Sequence, residues 1–324
     1  MKRRGFIITL GAAVAIAPSW LRAQSAAKPV IGFLSSRSAA DSAGHLAAFL
    51  QGLKAFGYVE GDNLTIEYRW ANGEYERLPA LARELIALDP AAIVAAGGVG
   101  SARAARSATS TIPILFAGGD PVQAGLVASL NRPGGNLSGV DIMTGELGGK
   151  RLELLLQMVP DAEVVGFLTN PQGPDTYLGD AREAADARGR RFVVVGASVV
   201  AELETAFSRL AESGAKALIV GNDPFFDAIR DRLIALAAQH AIPAIYHIRE
   251  FPAEGGLMSY GASLVGAYRQ LGIQTGRVLK GANPAELAVV RPTQFELVIN
   301  LQTAKALGLT VPPTLFAQAD EVIE

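Results

Sequence analysis

The chain has 324 residues, half of them apolar and 19% charged, with a formal net charge of −2 and no cysteine. That is long enough for two domains with separate cores, and the composition is that of a globular protein rather than a disordered or coiled-coil one. A charge so near zero argues against nucleic acid, whose binders carry a basic surface. The missing cysteines exclude disulfides, thiolate metal sites and a lipid-modified cysteine.

Lys2, Arg3 and Arg4 precede an apolar run from Phe6 to Ala17, and Ser25-Ala26-Ala27 supplies small residues beyond it. A basic start, an apolar middle and a small-residue exit describe an export signal over residues 1–27, cleaved after Ala23 or Ala27. The run is too short for a membrane anchor, which takes roughly 20 residues. Arg3-Arg4-Gly5-Phe6-Ile7-Ile8 also resembles a twin-arginine motif. The expected location is the periplasm, with the mature protein free and soluble.

Beyond the signal, short branched apolar runs alternate with amphipathic stretches. Strands are predicted near 29–34, 63–70, 91–96, 112–117 and 137–141, with helices near 43–56, 75–87, 100–108 and 122–130. Helix 146–158 then leads to a second series: strands near 163–168, 191–195, 216–221 and 242–246, and helices near 175–188, 201–213 and 226–240. Gly57 and Gly189 close the first helix of each series as C-caps. Strict alternation of strand and helix implies parallel strands with right-handed crossovers.

The two series are copies. Ile31-Gly32-Phe33-Leu34-Ser35-Ser36 returns as Val165-Gly166-Phe167-Leu168-Thr169-Asn170, and Ile112-Pro113-Ile114-Leu115-Phe116 as Ile242-Pro243-Ala244-Ile245-Tyr246. Strand 257–260, helix 264–280, strand 293–299 and helix 301–307 follow, and they read as a chain crossing back and forth between two lobes. The fold class is therefore α/β, two doubly wound parallel-sheet lobes joined by a multi-crossing hinge. Residues 28–142 with about 261–290 form the first lobe; about 143–260 with 291–324 form the second.

Ligands of open parallel sheets collect at the carboxyl ends of the strands. Here those ends carry Ser35-Ser36, Gly97-Gly98 with Ser101, Gly118-Gly119-Asp120, Thr169-Asn170, Asn222-Asp223 and Tyr246-His247. Hydroxyls, amides and accessible backbone N–H groups suit a small neutral or zwitterionic molecule. Gly97-Gly98 either presents N–H groups to a carboxylate at a helix start or simply makes a strand-to-helix turn. Gly-Gly-Val-Gly-Ser has neither dinucleotide spacing nor a P-loop lysine. Asp120-Pro121 and Asp223-Pro224 occupy equivalent places, each read first as a helix N-cap, with an ammonium contact as the further role. Tyr246 ends its strand and is expected to wall the site. The three histidines are too scattered for a metal site or triad, and no nucleophile motif is present, so no catalytic residue, metal or cofactor is assigned.

A further set of segments spans nearly the whole chain in order. They include Gly57-Tyr58-Val59-Glu60-Gly61, Arg132-Pro133-Gly134-Gly135-Asn136, Gly255-Gly256-Leu257-Met258-Ser259-Tyr260-Gly261 and Phe295-Glu296-Leu297-Val298-Ile299-Asn300. With these the chain resembles the ABC-transporter substrate-binding protein family of periplasmic binding protein type I architecture, in the branch of tryptophan and aromatic amino-acid binders. The resemblance implies a ligand held between lobes. Carried onto this chain it favours Ser35, Ser36, Gly98, Ser101, Asp120, Asn170, Asp223 and Tyr246. It implies a monomer that delivers an amino acid or related carboxylate to a membrane permease. A ligand-sensing subunit of a membrane receptor is the alternative, and an exported enzyme on the same fold a more distant one.

Overall fold

The branched runs assemble as two sheets in the computed structural model, which describes residues 28–143, 147–173 and 178–324. The export signal and the starts of the helices expected at 146–158 and 175–188 lie wholly or partly outside the described residues. In the first lobe β1 (Val30–Ser35) sits centrally, in parallel register with β2 (Thr65–Trp70) and β3 (Ala92–Ala96). Outward from β3 come β4 (Ile114–Gly118) and β5 (Leu137–Asp141), giving the order β2-β1-β3-β4-β5. Successive side chains of a strand point to opposite faces. Ile31 and Phe33 accordingly pack with α1 (Ala43–Lys54) and α10 (Leu264–Leu279), while Leu34 packs with α2 (Leu78–Ile86) and α3 (Val99–Ala108).

The second lobe repeats the plan with β6 (Val164–Thr169), β7 (Arg191–Gly196), β8 (Ala217–Val220) and β9 (Ala244–Tyr246). Between α4 (Gly148–Met158) and α5 (Leu178–Asp186) on one face and α6 (Leu203–Glu212) and α8 (Arg230–Gln239) on the other, β6, β8 and β9 are buried on both sides, while β7 at the edge is half-buried. The repeated glycine of the two first strands has one physical reason in both copies. A Cβ on Gly32 would lie 2.7 Å from Ile93 and 3.2 Å from Leu85 of α2; on Gly166 it would lie 2.4 Å from Leu210 of α6. The missing side chain lets a helix leucine seat directly on the strand.

One departure from an all-parallel pattern follows from the hinge. The chain leaves the second sheet along β10 (Met258–Ala262), adds α10 to the first lobe, bridges Val290 to Val140, and returns as β11 (Phe295–Asn300). A strand leaving at the hinge and the next one entering there must run oppositely, and β10 and β11 are antiparallel. After α11 (Leu301–Ala306) and α12 (Pro313–Phe316), β12 (Glu321–Ile323) pairs parallel to β11 and completes a seven-stranded sheet. Asp141, fully buried at the end of β5, ties the hinge: it accepts from the backbone N–H groups of Asp120 and Met143 and pairs with Arg291.

Two helix expectations change. Residues 122–130 form successive turns, because Asp120 and Gly125 adopt left-handed backbone and Leu126 N–H folds back to the Pro121 carbonyl. The helix expected over 226–240 divides at Ile229 into α7 (Pro224–Ala228) and α8. Among the described residues no helix is long and apolar enough to cross a membrane.

The first lobe depends on glycine contacts between α1 and α10. A Cβ on Gly52 would lie 2.2 Å from the Arg269 carbonyl oxygen, and one on Gly272 2.1 Å from that of Phe49. Gly52→Ala gains about 1 kcal/mol of helix propensity, but backbone cannot yield as a side chain can, and overpacking costs about 1–3 kcal/mol or more. The clash wins, so the urea midpoint of Gly52→Ala should fall. Gly44→Ala on the same helix meets open space and should raise it. Equal effects of the two would contradict the packing described.

Candidate functional site

The carboxyl ends of the two sheets face each other across a narrow space, about 520 Å³ counted to its open mouth. From the first lobe Arg37 reaches it after β1, Tyr75 ahead of α2, and Gly97–Gly100 at the turn from β3 into α3. Asn222, Asp223 and Pro224 face them from the turn after β8. Leu264 and Tyr268 of α10 close one side. The approach is close: a Cβ on Gly98 would lie 3.9 Å from Pro224, and one on Gly73 3.9 Å from the Phe225 backbone. Both Gly97 (φ 77°) and Gly98 (φ 106°) use backbone that L side chains rarely adopt. A side chain at Gly97 would also strike the Ser36 hydroxyl at 2.5 Å.

The residues expected from the sequence fall into three groups. Gly98 and Asp223 line the space. Asp223 N-caps α7, accepting from Phe225 N–H at 2.9 Å, as an Asp-Pro pair at a helix start predicts. Its carboxylate also accepts from Asn170 Nδ2 at 3.0 Å and from the Tyr75 hydroxyl of the other lobe. Burial nevertheless dominates and pushes this carboxyl up to about 6. Asn170 therefore acts behind the site, with its own oxygen held by Gln172 N–H.

Ser35 and Ser36 are fully buried, and their hydroxyls serve the loop. Ser36 donates to the Gly97 carbonyl, and Ser35 accepts the Arg37 N–H at 3.1 Å. Ser101 is fully buried within α3, outside the lining.

Asp120 and Tyr246 lie elsewhere. No helix starts at Pro121 for Asp120 to cap, and its backbone is drawn to the hinge by Asp141. Tyr246 shares a face of β9 with Ala244, and that face is covered by α8. Its ring stacks on Phe251 at 4.1 Å and borders a separate cavity alongside Ile242 and Leu307. Strand parity sends the strand-end tyrosine into the core, whatever its polarity. Phe226 is likewise fully buried in core.

Sequence reasoning missed the charges. Arg37, only 6% exposed, pairs through Nη2 with Asp227, which is 1% exposed and belongs to the other lobe. His247 Nε2 stands 3.1 Å from the other oxygen of Asp227. Burial works to raise the Asp227 carboxyl, but Arg37 and His247 outweigh it and hold it below the usual carboxylate range. Around this centre, Arg230 joins Asp41 of the first lobe at 3.0 Å and Glu254 at 2.7 Å, and His45 faces Glu250 at 3.4 Å. One signal was legible: in Asp223-Pro224-Phe225-Phe226-Asp227 two acids stand four apart on one helical turn and so share a face.

Comparison with known proteins agrees with this architecture. The family model described as ABC transporter substrate binding protein matches residues 31–323. A tyrosine-binding protein of Clostridioides difficile (strain R20291) is 29% identical over 269 residues, covering 81% of this chain and 75% of the relative. The crystal structure of a conserved domain protein from Vibrio cholerae superposes with a TM-score of 0.85 at 26% identity, covering 91% of this chain and 99% of the other. An ABC domain from Streptococcus pneumonia in complex with L-Trp has the same TM-score at 23% identity, over 91% of this chain and 100% of the other. With its two type I lobes and a family match over almost all described residues, the chain belongs to the ABC transporter substrate binding protein family.

Proposed function

We propose that this is an exported solute-binding protein that captures an aromatic amino acid between its lobes and hands it to the permease of an ABC transporter. The observation that carries the reading is Asp223. It is a buried carboxylate with no cation beside it among the described residues, set across a narrow space from the glycine turn and N-terminus of α3. A ligand ammonium would neutralise Asp223, and the N–H groups at the start of α3 would favour a carboxylate. Tyr75 and Tyr268 supply flat walls for a ring. The relatives support the ligand class, one being a tyrosine-binding protein and another holding L-Trp. Export rests on the basic, apolar and small-residue order of residues 1–27.

Capture works by closure. Contacts made to both lobes at once exist only when the lobes are together, so a ligand shifts the balance by its differential affinity for that state. The crossings among β5, β10 and β11 would serve as the hinge, and the ion pairs of Arg37 and Arg230 across the lobes support a closed state.

The direct measurement is a thermal-shift and calorimetric screen of mature protein stripped of co-purified ligand. L-Tyrosine, L-tryptophan and L-phenylalanine at about 100 times Kd should each stabilise it by roughly 2.7 kcal/mol. Binding of sugars or purines with no response to any aromatic amino acid would sink the reading.

A second outcome concerns pH. The folded Asp223 value of about 6 lies above its ordinary 3.8. The group therefore favours the ligand-free fold when protonated, at low pH, and that contribution is lost as pH rises through about 6. Asparagine caps as well as aspartate but cannot ionise. Ligand-free Asp223→Asn should thus exceed wild type at pH 8, by on the order of 3 kcal/mol at most, and match it near pH 3.5. Its affinity for amino acids should fall at pH 8 and approach that of wild type near pH 3.5, where both side chains are neutral. Chemical denaturation and calorimetry across that range check both; a variant less stable at pH 8 would show that the carboxylate is compensated without ligand.

A further inference from the structure

Resting on the proposed function, the geometry points to Arg37 as the residue that reads the ligand's carboxylate. The ligand would lie with its carboxylate toward the loop after β1 and its ammonium toward Asp223 of the opposite lobe. Among the described residues lining the space, Arg37 and Asp223 are the charged ones, and they come from different lobes. One full positive and one full negative charge on facing walls complement a zwitterion in a single orientation.

Three observations argue that Arg37 is more than a clasp between lobes. Its Nη2 is taken by Asp227, but Nε is buried and has no partner among the described residues. Buried guanidinium donors are rarely left unmatched, and a planar fork with a free N–H suits a carboxylate better than a helix end does. Next, Asp227 is shared: its second oxygen faces His247, so it orients the guanidinium without answering all its donors. Lastly, the hydroxyls that the sequence offers for a carboxylate are already engaged. Ser35 and Ser36 bond the backbone of the loops at Arg37 and Gly97. They hold the turn that delivers Arg37, and the arginine takes the role their position suggested.

The test compares ligands that differ only at the carboxylate. L-Tryptophan and L-tyrosine are titrated against L-tryptophanamide, tryptamine and tyramine, using wild type, Arg37→Gln and Arg37→Lys. Wild type should prefer each amino acid to its amine by about 100-fold or more, the loss expected when one partner of a buried charge pair is missing. Arg37→Gln, which also leaves Asp227 without its guanidinium and so weakens closure on every ligand, should lose about 100-fold more affinity for the amino acids than for the amines. Arg37→Lys, with charge but no fork, should fall between. Equal losses for acids and amines would make Arg37 a clasp between lobes and overturn the inference, as would amino-acid binding that survives in Arg37→Gln. If Arg37→Gln fails to fold, Arg37→Lys and the wild-type acid-to-amine ratio decide, a ratio near one overturning the inference. Wild type that binds no amino acid at all overturns the proposed function, and this inference with it.

Discussion

A guanidinium from one lobe and a carboxylate from the other are buried against each other, Arg37 on Asp227, and neither charge is tolerable there alone. Removing an ion from water costs several kcal/mol, recovered only with good geometry and further hydrogen bonds. In this protein the geometry exists only while the lobes are together. Apart, each group would be hydrated by solvent instead. The pair is therefore nearly neutral as a source of stability but stringent as a condition on shape. Everything at the interlobe surface is arranged around that condition: the serine-held loop, the short helix α7 with acids at both ends, and the histidine behind it.

The duplication supplies the frame for this arrangement, and its divergence supplies the chemistry. Both lobes keep the glycine that seats a helix leucine on the first strand, since any side chain there would force helix and sheet apart. At the strand ends the copies part. The first lobe offers Ser35-Ser36-Arg37 and the second Thr169-Asn170-Pro171, so one wall carries a cation while the other supports the capped carboxylate of Asp223. Equal lobes would face each other with equal charge. The segment after the third strand shows the same drift, a single helix α3 after β3 in the first lobe and the divided α7 and α8 after the equivalent β8 in the second.

How much of this could be read in advance depended on the range of the interaction. The positions of β1 to β11 were legible to within a residue or two, because burial leaves short branched apolar runs, whereas the short β12 was not expected. Capping by Asp223 was legible because it involves neighbours in sequence. Tyr246 was misplaced: chain order shows that it ends a strand, but not which face the final residue takes. Asp120 was misplaced because its neighbours adopt turns in which glycine and left-handed backbone outweigh helix propensity. Arg37 and Asp227 stand 190 positions apart, and neither is unusual where it sits.

The amino-acid sequence by itself determined two α/β lobes, their internal repeat, the crossings between them and the ring of strand ends proposed to hold a ligand. Those features follow from periodicity and from residues a few places apart. Tertiary structure alone decided which members of that ring meet in space, Gly98 and Asp223 rather than Tyr246 and Asp120, and brought Arg37 to the same space. The reason is that a side chain's contacts at a strand end depend on its parity and on the facing lobe. The value of a buried charge depends on a partner that lies far away in sequence, on the other lobe.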